Sequence, residues 1–217
     1  MKVDFIFDVA SPNAYLCHKT IPAIEQRTGG TFNYIPCLLG GIFKLTNNQA
    51  PMMAFNGIVN KLEYQNIEIK RFIQKYNLEN FTMNSFFPIM TLQLQRGAIA
   101  AMSLNVFDAY IEAIFKGMWE KSLNLGEQDI LMDFLRSETE IDINRLIEQM
   151  QSQEIKEQLI QNTSNAVKRG AFGIPTFFAN DEIFFLYCRL FWLKAVNCHP
   201  ARFIDLMIDN NFRTGSI

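Results

Sequence analysis

The chain has 217 residues, 49% hydrophobic and 19% charged, with a formal net charge of −2. That balance excludes a disordered or fibrous polymer, and the lack of any basic run argues against a nucleic-acid partner. No apolar run approaches the ~18 residues of a membrane span, and Met1-Lys2-Val3-Asp4 leads into a strand pattern rather than a leader, so a cytoplasmic protein with no membrane association is expected. Twenty Phe against two Trp and six Tyr predict deep apolar packing around a pocket or an interface.

The segment 3–8 alternates Val3, Phe5 and Phe7 against Asp4, Ile6 and Asp8, the pattern of a short strand. Ser11-Pro12 then supplies an N-cap and a first helical proline. The helix runs through Tyr15, Leu16, Ile21 and Ile24 to Gly29-Gly30, with Arg27 in its last turn and a kink expected at Pro22. A second strand follows at 31–37, with Phe32 and Tyr34 on one face. Strand, helix, strand in this space predicts a parallel βαβ unit with a right-handed crossover.

Leu38-Leu39-Gly40-Gly41-Ile42-Phe43-Lys44 leaves the sheet, its glycine pair allowing backbone geometry that other residues resist, and 47–51 reads as a polar loop. Helical patterns then occupy 52–76, 91–105, 107–122, 127–135, 142–150 and 153–168. Strand character returns only at 175–179 and 182–186, separated by Asn180-Asp181, a two-residue hairpin turn. Helices at 188–197 and 200–210 close the chain. Neither the βαβ unit nor the hairpin can bury a sheet alone; together they make one four-stranded mixed sheet. The predicted class is α/β with a thioredoxin-like order: residues 1–46 and 169–217 form one domain, and 47–168 an all-helical insertion.

The cysteines are Cys17, Cys37, Cys188 and Cys198, and none forms C-x-x-C. Dithiol redox chemistry lacks its pair. Cys17-His18 and Cys198-His199 are adjacent pairs, which a helix splays by roughly 100°, so no metal site is expected. A nucleophilic serine lacks a G-x-S-x-G elbow, with two histidines in the chain as candidate bases. What the first turn does offer is a helix N-terminus. Free N–H groups, a positive dipole end and the Ser11 hydroxyl meet at Ser11-Pro12-Asn13-Ala14, a place for a phosphate, carboxylate or thiolate.

Several strings, in order and correctly spaced, resemble the 2-hydroxychromene-2-carboxylate isomerases and kappa-class glutathione transferases. They are 7–16 around Ser11-Pro12, Leu38 to Lys44, Asn48-Gln49-Ala50-Pro51, Phe87-Pro88 with Thr91-Leu92 and Arg96, and 169–178 around Ile174-Pro175. The resemblance implies a thioredoxin fold carrying a helical insertion, a glutathione cofactor, a small-molecule substrate and a homodimer. It makes Ser11 the residue that donates to the glutathione sulfur, within the Ser11-Pro12-Asn13 turn. It makes Ile174, ahead of a cis Pro175, the backbone partner of the cysteinyl part. Asn48 matches a glutathione-binding asparagine and Lys44 a lysine lining the site, and by the same resemblance Lys44 and the Asn48 loop hold the carboxylate and carbonyl of the substrate.

Two departures follow. The family's Gly-x-Asp-Arg after the hairpin reads Leu186-Tyr187-Cys188-Arg189, so at the cofactor position formed by Tyr187 and Cys188 a thiol replaces the acid that binds the γ-glutamyl ammonium. The segment Phe-Pro-x-Asn-Thr reads Phe87-Pro88-Ile89-Met90-Thr91, which puts the thioether of Met90 on the substrate side in place of an amide. The expected function is a glutathione-dependent isomerase acting on an aromatic or conjugated keto-acid by reversible thiolate addition. A kappa-like transferase and a non-catalytic binding protein of the same fold are the alternatives.

Overall fold

The computed structural model describes residues 2–180 and 182–186. Tyr187, Cys188, Arg189, Cys198 and His199, with the helices expected at 188–197 and 200–210, lie outside the described residues.

Strand β1 (Lys2–Phe7) runs into helix α1 (Pro12–Thr28) and then β2 (Thr31–Pro36). β1 and β2 are parallel in the register Val3↔Phe32 and Phe5↔Tyr34. After the helical block come β3 (Thr176–Ala179) and β4 (Glu182–Phe185). β3 lies antiparallel to both β1 and β4, and the four strands stand in the order β2-β1-β3-β4. This is the α/β four-stranded mixed sheet that the strand patterns predict. Asn180, at positive φ, begins the turn between β3 and β4, where a short amide side chain tolerates the left-handed conformation.

The Phe surplus finds its use on one face of this sheet. Phe5 stacks on its cross-strand partner Phe177 with centroids 5.0 Å apart, and Phe7 meets Tyr34, Phe107 and Phe115. These rings seal β1 under α1 and α6 (Phe107–Trp119). The opposite face is also covered, since Ile6 is as buried as Phe5; there α9 (Gln153–Lys168) packs against β2. A central strand buried on both faces explains why its alternation is imperfect.

Between β2 and β3 the described residues hold α2 (Leu39–Thr46), α3 (Pro51–Ala54), α4 (Lys61–Tyr76), α5 (Leu92–Ser103), α6, α7 (Gln128–Glu138), α8 (Ile143–Gln151) and α9. Two differences from the sequence reading have physical causes. The glycine pair forms the interior of α2 rather than an irregular exit: a Cβ on Gly41 would stand 3.0 Å from the Thr163 methyl, so the glycine admits α9 rather than an unusual φ. The single helix expected at 52–76 is two, because the chain turns at 55–60 and Asn60 adopts φ +65. Helix α1 carries Pro22 without ending.

Candidate active site

β1 and β3 are adjacent and antiparallel, so the end of one and the start of the other emerge at the same edge of the sheet. That edge brings the Ser11 turn to Ile174-Pro175. The Ile174-Pro175 bond is cis, as the family resemblance implies.

Ser11 is the N-cap of α1, with only 4% of its surface exposed. Its Oγ accepts from the Ala14 N–H at 3.2 Å and donates to the Ile174 carbonyl at 3.4 Å. The second bond is long, so its single proton is held weakly and can be transferred to a better acceptor. Pro12 contributes no N–H to the open helix end, leaving that of Asn13 facing outward. The Asn13 Oδ1 is buried and has no hydrogen-bond partner. The Ile174 N–H likewise pairs with nothing among the described residues. The Ser11 hydroxyl thus links the start of α1 to Ile174, with the unpartnered Asn13 Oδ1 two residues along the helix.

Asn48 reaches the same loop. It follows α2, and its Nδ2 donates to the Phe172 carbonyl at 2.8 Å while its Oδ1 accepts from the Gln49 N–H. Its amide holds the loop ahead of Ile174, a different task from binding a ligand directly. Lys44 stands exposed in the last turn of α2 with no ion pair among the described residues. Met90 is 79% exposed. The structure joins Ser11 to Ile174 and Asn48 to the loop ahead of it through hydrogen bonds, while among the described residues the side chains of Lys44 and Met90 make no hydrogen bond to any of them. Tyr187 and Cys188 fall outside the described residues.

Three residues that frame the turn were not picked out from the sequence. Gln95, fully buried in α5, donates to the carbonyls of Phe7 and Cys37, both at 2.9 Å, and accepts from the Val9 N–H. Trp119 donates its indole N–H to the Val9 carbonyl at 2.9 Å. Asp8, 1% exposed, accepts from the Ala10 N–H at 3.0 Å and the Leu39 N–H at 2.8 Å. Burial pushes the Asp8 carboxyl above its ordinary range, partly opposed by these bonds and by the Thr91 hydroxyl. The sequence signals were faint: an acid closing a strand, and an amide beside Arg96 in a helix that also carries Gln93.

The cysteines in view are poor nucleophiles. Cys17 and Cys37 are buried and form no disulfide, and burial pushes the Cys37 thiol up to about 12. Among the described residues no group of three or more His, Cys, Asp or Glu is placed to hold a metal ion, and no helix is long and apolar enough to cross a membrane.

A family model described as a DSBA-like thioredoxin domain matches residues 2–194. The 2-hydroxychromene-2-carboxylate isomerase of Pseudomonas putida is 25% identical over 196 residues, which span 90% of this chain and 93% of that protein. Glutathione S-transferase kappa 1 of Caenorhabditis elegans is 22% identical over 188 residues, 80% of this chain and 78% of that one. A solved selenomethionyl 2-hydroxychromene-2-carboxylate isomerase matches with a TM-score of 0.77 at 23% identity, covering 96% of this chain and 98% of that one. At that identity the likeness speaks for the fold.

Proposed function

The chain belongs to the DSBA-like thioredoxin domain family, and within it we propose that it is a glutathione-dependent isomerase of conjugated, acidic small molecules. The observation that carries this reading is the turn itself. Where a disulfide oxidoreductase needs a nucleophilic sulfur, this chain places a buried serine at a helix N-terminus, against the Ile174 carbonyl. The relative from Pseudomonas putida is named for the isomerisation of a hydroxychromene carboxylate, which supports the isomerase reading, and the relative from Caenorhabditis elegans for glutathione transfer, which supports glutathione as the cofactor.

The residues present fit glutathione. Its peptide has N–H and C=O groups to offer, and the Ile174 N–H and the orphaned Asn13 Oδ1 are one donor and one acceptor seeking partners. A buried acceptor left unpaired costs about 1–3 kcal/mol, which a ligand N–H recovers. Bound there, glutathione would supply a thiolate nucleophile for reversible addition to a conjugated carbon, the chemistry that frees a double bond to rotate. Ser11 redirects its hydroxyl proton from the Ile174 carbonyl to the sulfur, and the α1 dipole favours the anion. Lys44, exposed at the end of α2, meets the substrate carboxylate. Met90 gives that side an apolar, adaptable wall. The compartment proposed is the cytoplasm. The assembly proposed is a homodimer, supported by the exposed apolar side chains Met52, Met53, Ile58, Val59, Tyr64 and Ile67; a light-scattering mass equal to one chain would overturn it.

The test is a glutathione titration followed by thiolate absorbance in the ultraviolet, then turnover of a hydroxychromene carboxylate. Expected are saturable binding, a thiolate band that disappears in Ser11→Ala, and isomerisation without consumption of glutathione. Consumption in a one-to-one ratio with an electrophile assigns the transferase reading instead. No binding at millimolar glutathione overturns both.

A further inference from the structure

Three helices begin around one carboxylate. Ala10, whose N–H reaches Asp8 Oδ1, immediately precedes the N-cap of α1. Leu39, whose N–H reaches Oδ2, is the first residue of α2. Thr91, whose hydroxyl favours the charged Asp8 carboxylate, is the N-cap of α5 and makes no cap bond to its own helix. The Asp8 carbonyl in turn accepts from the Ser11 N–H at 3.0 Å, closing the turn. Among the described residues no basic side chain forms an ion pair with Asp8; the backbone N–H groups of Ala10 and Leu39, at the starts of α1 and α2, take that place.

Each helix leads to a different part of the candidate site. α1 begins with Ser11. α2 carries Lys44 and delivers Asn48 to the loop before Ile174. The start of α5 follows Met90 directly. Gln95, one turn into α5, ties the same strand end from the other side through Phe7, Val9 and Cys37.

Resting on the reading of Ser11 as a sulfur site, we propose that Asp8 is its positioning residue: a single buried carboxylate that fixes the sulfur turn, the α2 arm and the Met90–Thr91 segment in one mutual placement. Asp8 does not touch substrate or sulfur. It acts through the backbone it holds. An amide in its place presents an NH2 group to one of two N–H donors, so Asp8→Asn must release either Ala10 or Leu39. Removing the charge also leaves the three helix ends without their common counter-charge.

The experiment compares the full chain with Asp8→Asn, Leu39→Pro and Thr91→Val by amide hydrogen exchange, with and without glutathione. Leu39→Pro deletes one donor at a first helical position, behind an extended Leu38 (φ −92, ψ 116) that tolerates a following proline. In the ligand-free wild type the Ala10 and Leu39 amides are expected to be strongly protected, and Asp8→Asn to speed exchange at one or both at least tenfold. With saturating glutathione the wild type gains protection at Ala10 and across 40–42 together. Asp8→Asn gains it at Ala10 alone and binds glutathione at least tenfold more weakly. If Asp8→Asn does not fold, the two single-bond variants carry the test: Leu39→Pro must uncouple 40–42 and leave Ala10 protected, and Thr91→Val must loosen the start of α5 only.

Unchanged exchange at Ala10 and Leu39 in Asp8→Asn overturns the proposal whether or not glutathione binds. So does a purely global loss of protection, which is what a stability role alone would give. Absence of glutathione binding in the wild type, with Ala10 and Leu39 still dependent on Asp8, overturns the function reading and leaves the joint standing.

Discussion

Ser11 has one proton and two roles. As N-cap it accepts from Ala14, and as donor it holds the Ile174 carbonyl. Ser11→Ala is therefore expected to cost about 1 kcal/mol of stability, measured by denaturant unfolding, while abolishing the thiolate band of bound glutathione. A variant that unfolds as easily as expected but keeps the band would remove Ser11 from the chemistry. A second residue prediction concerns acid. Glu112 takes hydrogen bonds from His18 and Lys19, and these hold its carboxyl down at about 2. A carboxylate that is more acidic folded than unfolded contributes its stability above the ordinary carboxylate range. That contribution is then lost as pH falls from about 5 toward 2. The Glu112 side chain is half exposed, so screening limits its share to about 1 kcal/mol. Glu112→Gln should flatten the acid limb of a stability-against-pH curve by that amount; an unchanged limb would assign the acid loss elsewhere.

Helix α5 does more for the site than its position in the chain announces. Gln95 satisfies three backbone groups at the ends of β1 and β2, and Gln95→Leu leaves buried polar groups without partners. An expected loss of about 2–4 kcal/mol follows, together with weaker glutathione binding, since Val9 leads directly into the turn. Two residues on, at Gly97, α5 admits α6: a Cβ there would lie 2.1 Å from the Tyr110 hydroxyl, which itself donates to the Leu94 carbonyl. Gly97→Ala must push α5 and α6 apart, at an expected cost of about 3 kcal/mol or more in unfolding measurements. Neither role is visible in sequence. The alternation of β1, the Ser-Pro start of α1 and the β3–β4 turn are legible because each is written in neighbouring residues. Gln95, Gly97 and Asp8 act on partners fixed only by tertiary packing, and a lone polar or small residue carries no local sign of that. Helix α2 escaped for a related reason: eight residues, two of them glycine, show no usable period.

At the scale of the whole molecule the four-stranded sheet and its helical block follow from where β patterns start and stop, whereas the placing of site residues came from family resemblance. The structure joins Ser11 to Ile174 and ties Asn48 to their loop; Lys44 and Met90 rest on resemblance. The thiols at Cys17 and Cys37 provide a simple global check. Both are buried, and mapped labelling by a thiol reagent should modify neither until the chain is unfolded. Labelling of Cys37 in the native state would mean that the packing around it, just after β2, opens far more readily than its burial implies.

The contact between Ser11 and Ile174 spans 163 positions of chain, and that separation bears on the order of assembly. Contacts within α5 to α9 close short loops and can form early, while bringing β3 to β1 closes the longest loop in the sheet. The candidate site therefore comes into being with the last strand pairing, and its two halves do not exist as a site before then. A molecule that bridges the two holds the finished protein together without guiding its formation. It should slow unfolding, the rate falling in proportion to the fraction of sites left unoccupied, and leave the refolding rate unaltered.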